Sequence, residues 1–223
     1  MGQQALSSTN YDTSTLSLKR LFKPKPTRTV LLCGLNHAGK TTLVCNMTPS
    51  MLDHARGMEN IDQVSTCPTP GLSLVEFAQG RIKWRVWDMS GQGRFRNLWA
   101  YYSGHVQGII FVIDVMDSDR IATARDELQA LLDQPRVREM RIPLLVFANK
   151  ADLGSADDLE ADNDKNKSKS LSMENVRMAL GVDNMNQHQK VKVISSSGLT
   201  GTGVAEGFQW LNEAIRSVGK GEL

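Results

Sequence analysis

Apolar runs at residues 30–33, at 109–114 (closing on Asp114) and at 144–148, with a shorter one at 191–194 that Lys192 interrupts, stand out along a chain of otherwise mixed polarity. A strand covered on both faces needs such a run, because neither side of it meets water. Each run therefore predicts a buried parallel strand. Residues 72–78 and 82–88 predict two more strands, joined across Gln79-Gly80 as a hairpin. In the second of these, Ile82, Trp84 and Val86 alternate with Lys83, Arg85 and Trp87. The large indole of Trp87 thus shares a face with cations, which predicts a partner site or a cover for another segment.

Between the runs the hydrophobic period changes from two to 3.6. Ile121, Ala124, Leu128, Leu131 and Leu132 form one helical stripe, with Asp117 or Ser118 available as its cap. Val204, Phe208, Leu211, Ile215 and Val218 form a second stripe. Shorter helices are predicted from Lys40 to about Met47 and over 173–180. Alternating strands and helices give an α/β fold. Its centre is a doubly wound, mostly parallel sheet of six strands with one hairpin, and ligands are expected at the carboxyl ends of the strands.

The polar stretches set the domain limits. Residues 1–28 read as a tail, and 29–219 as one domain with polar inserts at about 49–67 and 155–170. The first 15 residues are low in apolar content. Beyond them, Leu16, Leu18, Leu21 and Phe22 stand beside Lys19, Arg20, Lys23, Lys25 and Arg28, with no acid among them. That combination suits the surface of an anionic membrane, and a basic linker docked on protein is the alternative. Gly2 invites N-myristoylation, but the pattern asks for Ser or Thr where Leu6 stands, and Ser7 comes one late.

Bulk composition narrows the class. The 223 residues, 40% hydrophobic, suffice for one domain with a real core and are too few for two with tails. A net charge of +2 excludes a generic polyanion binder, so no nucleic-acid partner is expected. The three cysteines, Cys33, Cys45 and Cys67, argue against a disulfide framework and fit a cytoplasmic setting. No apolar run approaches the roughly 20 residues of a membrane span, and the polar N-terminus does not resemble a secretory signal.

Three strings carry the chemistry. Gly34-Leu35-Asn36-His37-Ala38-Gly39-Lys40-Thr41 fits G-x-x-x-x-G-K-[ST], placed between an apolar strand and a helix. Its glycines let backbone N–H groups turn onto phosphates, and the helix N-terminus adds its dipole. Lys40 brings charge to the β- and γ-phosphates. Gly34, Asn36, His37, Ala38, Gly39, Lys40, Thr41 and Thr42 are the expected phosphate contacts. The Thr41 hydroxyl is expected on Mg²⁺, with Thr69 of Cys67-Pro68-Thr69-Pro70-Gly71 as a second hydroxyl and Asp88 acting through water. In Asp88-Met89-Ser90-Gly91-Gln92, the Gly91 N–H is expected at the γ-phosphate. Gln92 would orient the attacking water, as the corresponding glutamine does in Ras.

Asn149-Lys150-Ala151-Asp152 follows the 144–148 run. Asp152 can accept from guanine N1–H and the exocyclic amine, a donor pair that adenine lacks. The Lys150 stem can lie over the base, and Ser195-Ser196 can offer a backbone N–H to guanine O6. The three strings together specify GTP and GDP as ligands, with Mg²⁺.

With these strings the chain resembles the ADP-ribosylation-factor (Arf/Arl) branch of small GTPases over about residues 16–218. The resemblance rests on Gly34-Leu35, Pro68-Thr69 with Gly71, Trp87-Asp88, Gln92 through Leu98-Trp99, and Gly207-Phe208-Gln209-Trp210-Leu211. It implies a P-loop GTPase fold whose hairpin lies between the two switch segments. Within the branch, residues 88–99 are most similar to the Arf-like group associated with Bardet–Biedl syndrome. That similarity implies recruitment of a BBSome-type coat to membranes in ciliary or flagellar transport, under an exchange factor and a GTPase-activating protein. It also implies an effector surface at Leu72, Trp87 and Tyr102, with Leu72 where the family usually carries phenylalanine.

The chain departs from the branch at several points. Ser90 stands where a second glycine is usual, and Asn36-His37 where an Asp and a small or polar neighbour are more common. Pro70 replaces isoleucine, removing one backbone donor and pushing Thr69 toward extended geometry. Slow intrinsic hydrolysis is expected, because no arginine stands in cis in the phosphate loop or the Thr69 segment, so that a partner supplies the charge. Three alternatives remain: a GTP-dependent scaffold with negligible hydrolysis, an Arf-like switch on Golgi or endosomal membranes, and a phosphate-loop ATPase or kinase, which Asp152 disfavours.

Overall fold

The computed structural model describes residues 25–48, 69–153, 170–185 and 189–219. The expectations for the tail to residue 24, Gly2 included, lie outside the described residues, as do those for nearly all of both inserts.

Six strands form one sheet: β1 (Thr27–Cys33), β2 (Leu72–Gln79), β3 (Ile82–Met89), β4 (Gly108–Asp114), β5 (Leu144–Asn149) and β6 (Val191–Ser195). Their order is β2-β3-β1-β4-β5-β6. Among the described residues only the β2–β3 hairpin is antiparallel, with Leu74 opposite Trp87 and Leu72 opposite Met89. β1 begins at Thr27, inside the expected tail, because Thr27 already pairs with Lys83 of β3.

Helices cover both faces. On one side lie α1 (Lys40–Met47) and the closing α6 (Val204–Val218). Their Leu43, Phe208 and Leu211 pack with Val30, Leu32, Trp84, Val86 and Phe147. Phe208 meets Trp84 edge-on with ring centroids 5.0 Å apart, and Phe77 at 5.5 Å. On the other side lie α2 (Asn97–Ser103), α3 (Ile121–Leu132), α4 (Pro135–Glu139) and α5 (Met173–Leu180). There Trp99, Leu128, Val137 and Val176 pack on Leu31, Phe111, Ile113 and Val146. Neighbouring residues of one strand therefore enter opposite cores, which is why the parallel strands read as continuous apolar runs.

The helix caps follow the sequence. Asp117 accepts from the Arg120 N–H at 3.3 Å just ahead of α3. Ser172 accepts from Asn175 N–H at the start of α5. Among the described residues, no helix is long and apolar enough to cross a membrane.

Candidate nucleotide and switch site

β1 delivers the chain from the buried sheet straight into the glycine loop. Gly39, in left-handed backbone at φ 87°, lies so close to Asn149 that a Cβ would fall 2.3 Å from its Nδ2. Only glycine satisfies both the angle and the approach. Lys40 folds back across the loop and donates to Leu35 O at 2.8 Å. Burial lowers its pKa to about 8, while the charge of Asp88 pulls the other way. His37 is exposed and also left-handed, at φ 65°. Thr42 follows Thr41 in the first turn of α1.

Asp88, near the carboxyl end of β3, is 1% exposed. Thr41 Oγ1 donates to its Oδ2 at 2.7 Å, and the Thr41 and Thr69 hydroxyls lie 3.1 Å apart. The second carboxylate oxygen, Oδ1, is buried with no hydrogen-bond partner among the described residues. Burial raises the Asp88 pKa, and the Thr41 hydrogen bond opposes the rise. An orphaned buried carboxylate oxygen is costly unless something positive meets it. Two hydroxyls and one carboxylate are the hard oxygen donors that a small divalent cation takes. No group of three His, Cys, Asp or Glu side chains gathers into a metal cluster among the described residues. The expected trio of Thr41, Thr69 and Asp88 is thus brought together and fits Mg²⁺.

The switch segment after β3 is held at each step. Ser90 N–H donates to Gly71 O at 2.8 Å, tying this segment to the one that carries Thr69 and Pro70. The Ser90 carbonyl accepts from Trp99 Nε1 at 3.0 Å. Gly91 lies directly against the phosphate-loop backbone. Its carbonyl accepts from Arg96 Nε at 3.0 Å. The Gln92 side-chain oxygen accepts from Arg94 Nε at 3.2 Å.

An arginine does reach the phosphate loop in cis, though from a distant segment. Arg120, just ahead of α3, donates through Nη1 to Asn36 Oδ1 at 3.0 Å and through Nη2 to Asn36 O at 3.3 Å. It also pairs with Asp117 through Nε at 2.6 Å, and this bond holds the Asp117 carboxyl below its ordinary range. A sequence separation of 84 between Arg120 and Asn36 hides this contact from any local reading.

The string expected to read the base leaves β5. Asn149 donates from Nδ2 to Ala38 O at 2.8 Å and accepts the Gly198 N–H at 2.8 Å. One buried amide therefore joins the phosphate loop to the segment after β6. Lys150 pairs with Asp114 at 2.6 Å, a partner that the sequence did not reveal. Asp152 is exposed on the short turn that follows.

The assignment of Ser195-Ser196 needs correction. β6 runs on through Ser195, so the Ser196 N–H closes the sheet ladder on Ala148 O at 2.9 Å. Its carbonyl accepts from the Ala151 N–H at 3.1 Å. Its backbone N–H is therefore not free for guanine O6. Ser195 is an exposed strand end, and the loop that packs beside Asn149 begins later, at Gly198.

On the hairpin, Trp87 is half-buried against the α3 core and meets Tyr102 of α2 edge-on, ring centroids 4.9 Å apart. Leu72 borders the same core. Its cationic neighbours Lys83 and Arg85 both pair with Glu76 of β2. Leu74, 54% exposed, and Tyr101, 70% exposed, extend this apolar patch. Leu74 shares the alternation of Leu72 and could have been read from it.

Comparison with known proteins identifies the family. The model of the ADP-ribosylation factor family matches residues 14–215. ADP-ribosylation factor-like protein 6 of Danio rerio is 37% identical over 189 residues, covering 85% of this chain and 89% of that protein. The structure of the Arl6 (BBS3) small GTPase of Trypanosoma brucei, solved with the bound nucleotide analogue GppNp, superposes with a TM-score of 0.68. That alignment is 30% identical and covers 85% of this chain and 98% of the other.

Proposed function

The chain belongs to the ADP-ribosylation factor family of small GTPases, which hydrolyse GTP, and from that premise we propose a magnesium-dependent switch for membrane-trafficking effectors. The coat it recruits is BBSome-like, in ciliary or flagellar transport, and its regulators are an exchange factor and a GTPase-activating protein. A scaffold without hydrolysis and an ATPase or kinase both give way to the family assignment. The ciliary pathway is supported by similarity to the factor-like protein 6 of zebrafish and its trypanosome counterpart.

One observation carries the switch. Thr69, Thr41 and Asp88 converge from three separate segments, and Gly91 abuts the phosphate loop beside them. A γ-phosphate entering there would meet Lys40 and the Gly91 N–H, while Thr41 and Thr69, with Asp88 through water, would hold Mg²⁺. The ion's role is to neutralise charge on the β- and γ-phosphates. Gln92 orients the attacking water, and loss of the cleaved phosphate frees the Thr69 and Gly91 segments from their common contact. Asp152 and Lys150 select guanine. The patch of Leu72, Trp87 and Tyr102 then offers the GTP-dependent surface to the coat. The protein is cytoplasmic and reversibly membrane-associated through its tail.

The test loads a Gln92→Leu form with GTP and a Thr41→Asn form with GDP, then compares the proteins each captures from lysate. BBSome-type subunits captured only with GTP are the expected result. Other coats or tethers would move the pathway to different membranes, and identical partners in both states would overturn the switch.

A further inference from the structure

The peptide that joins Gly91 to Gln92 is held at both of its polar atoms. Its carbonyl accepts from Arg96 Nε at 3.0 Å, and its N–H donates to Ser90 Oγ at 3.4 Å. Neither partner is loose. Arg96 Nη1 donates to Glu127 on α3 at 2.8 Å, and the two side chains are only 17% and 31% exposed. Ser90 is buried, with its own N–H on Gly71 O and its carbonyl under Trp99 Nε1.

A peptide unit is a rigid plane, so fixing its oxygen and its hydrogen fixes the torsions on either side. Those torsions aim the Gln92 side chain. We propose that Arg96, anchored by Glu127, and Ser90 are positioning residues that set the backbone from which Gln92 reaches the attacking water. Helix α3 is the fixed reference, since its Leu128 and Ala124 are core residues. Release of the Arg96–Glu127 pair lets the peptide rotate, and Gln92 loses its aim while the phosphate loop keeps its grip. The inference rests on the reading of Gln92 as the water-orienting residue.

Phosphate release from GTP-loaded full-length protein tests it, with GDP affinity measured on the same samples. Arg96→Ala slows single-turnover hydrolysis about tenfold, a misaimed group being costly even at small displacement. GDP affinity stays within about twofold, because nothing that touches GDP has moved. Arg96→Lys, Glu127→Gln and Ser90→Ala fall between Arg96→Ala and wild type. Glu127→Gln keeps every phosphate-facing residue and serves if Arg96→Ala does not fold. The double variant with Gln92→Leu runs no slower than Gln92→Leu alone. A wild-type rate in Arg96→Ala and Glu127→Gln overturns the proposal. So does an equal slowing by Arg96→Ala in the wild-type and Gln92→Leu backgrounds, or GDP affinity lost in step with rate. If Gln92→Leu itself hydrolyses at the wild-type rate, the role of Gln92 falls and takes the clamp with it. If Gln92→Leu is slow and the clamp variants are not, only the clamp is lost.

Discussion

Replacing Gly91 by alanine places a methyl group where the phosphate-loop backbone already stands. The added carbon falls 2.3 Å from Asn36 N, 2.4 Å from Leu35 C and 2.5 Å from Gly34 O, whereas ordinary contact begins near 3.4 Å. All three obstacles are backbone atoms, so no side chain can swing out of the way. The loop cannot yield either: Lys40 ties Leu35, Asn149 ties Ala38 and Arg120 ties Asn36. The switch segment must retreat by about 1 Å, which stretches a hydrogen bond of ~2.9 Å from the Gly91 N–H beyond bonding range. A bond to a charged acceptor contributes about 1.5–3 kcal/mol, so affinity for GTP falls about 10- to 150-fold. GDP has no γ-phosphate and binds as before. Equilibrium titration of fluorescent GDP and of a non-hydrolysable GTP analogue separates the two, with a melting curve to confirm folding. Wild-type affinity for the analogue, or equal loss of both ligands, refutes the reasoning.

Four other outcomes follow from the same contacts. Trp87→Ala removes the edge-on contact with Tyr102 and weakens capture of the effector far more than nucleotide binding, both read by pull-down and titration. Equal losses would contradict the surface role. Asn149→Ala strands the Ala38 carbonyl and the Gly198 N–H in the interior and costs about 2–4 kcal/mol in urea unfolding. A loss under about 1 kcal/mol would mean that the bridge is unimportant. Asp152→Asn exchanges an acceptor for a donor, so GTP affinity drops at least about 100-fold and xanthosine triphosphate regains part of it. No change in base preference would remove Asp152 from the base site. The Asp117–Arg120 pair predicts a pH dependence. The folded-state pKa of Asp117 is depressed by Arg120, so its stabilisation is complete above the unfolded value of about 3.9 and is lost as pH falls through the folded value. Asp117→Asn is therefore less stable than wild type at pH 7, by no more than about 1 kcal/mol for a partly exposed pair. The gap closes in acid, and a constant gap from neutral to strongly acid pH would contradict the assignment.

The legible parts of this fold share a cause. Strands β1, β4 and β5 announced themselves because their apolar runs are buried on both faces, edge strand β6 by the shorter 191–194 segment, and the hairpin because Gln79-Gly80 interrupts two alternating runs. The strings expected to meet phosphate, magnesium and guanine could be placed because each follows a strand end within a few residues. The contacts that hold those strings in place could not. Asn149 reaches Ala38 across 111 residues, Arg120 reaches Asn36 across 84 and Arg96 reaches Glu127 across 31. Side-chain bridges of such span leave no period and no motif. Ser196 was misread for a smaller reason: one extra residue of strand turned a free amide into a rung of the sheet.

Asn149 has a consequence for how the nucleotide is held. Its amide grips the loop expected to cradle phosphate with one end and the segment after β6, next to the string expected to read guanine, with the other. The two half-sites are thus pre-spaced, and the ribose of GTP links two guests that suit them. Binding is then a chelate, in which the second contact forms at the high local concentration set by the first. Guanosine and free triphosphate, offered together, forfeit that gain. Prying either half away from Asn149 is expected to loosen the other, so that disturbing one end empties both.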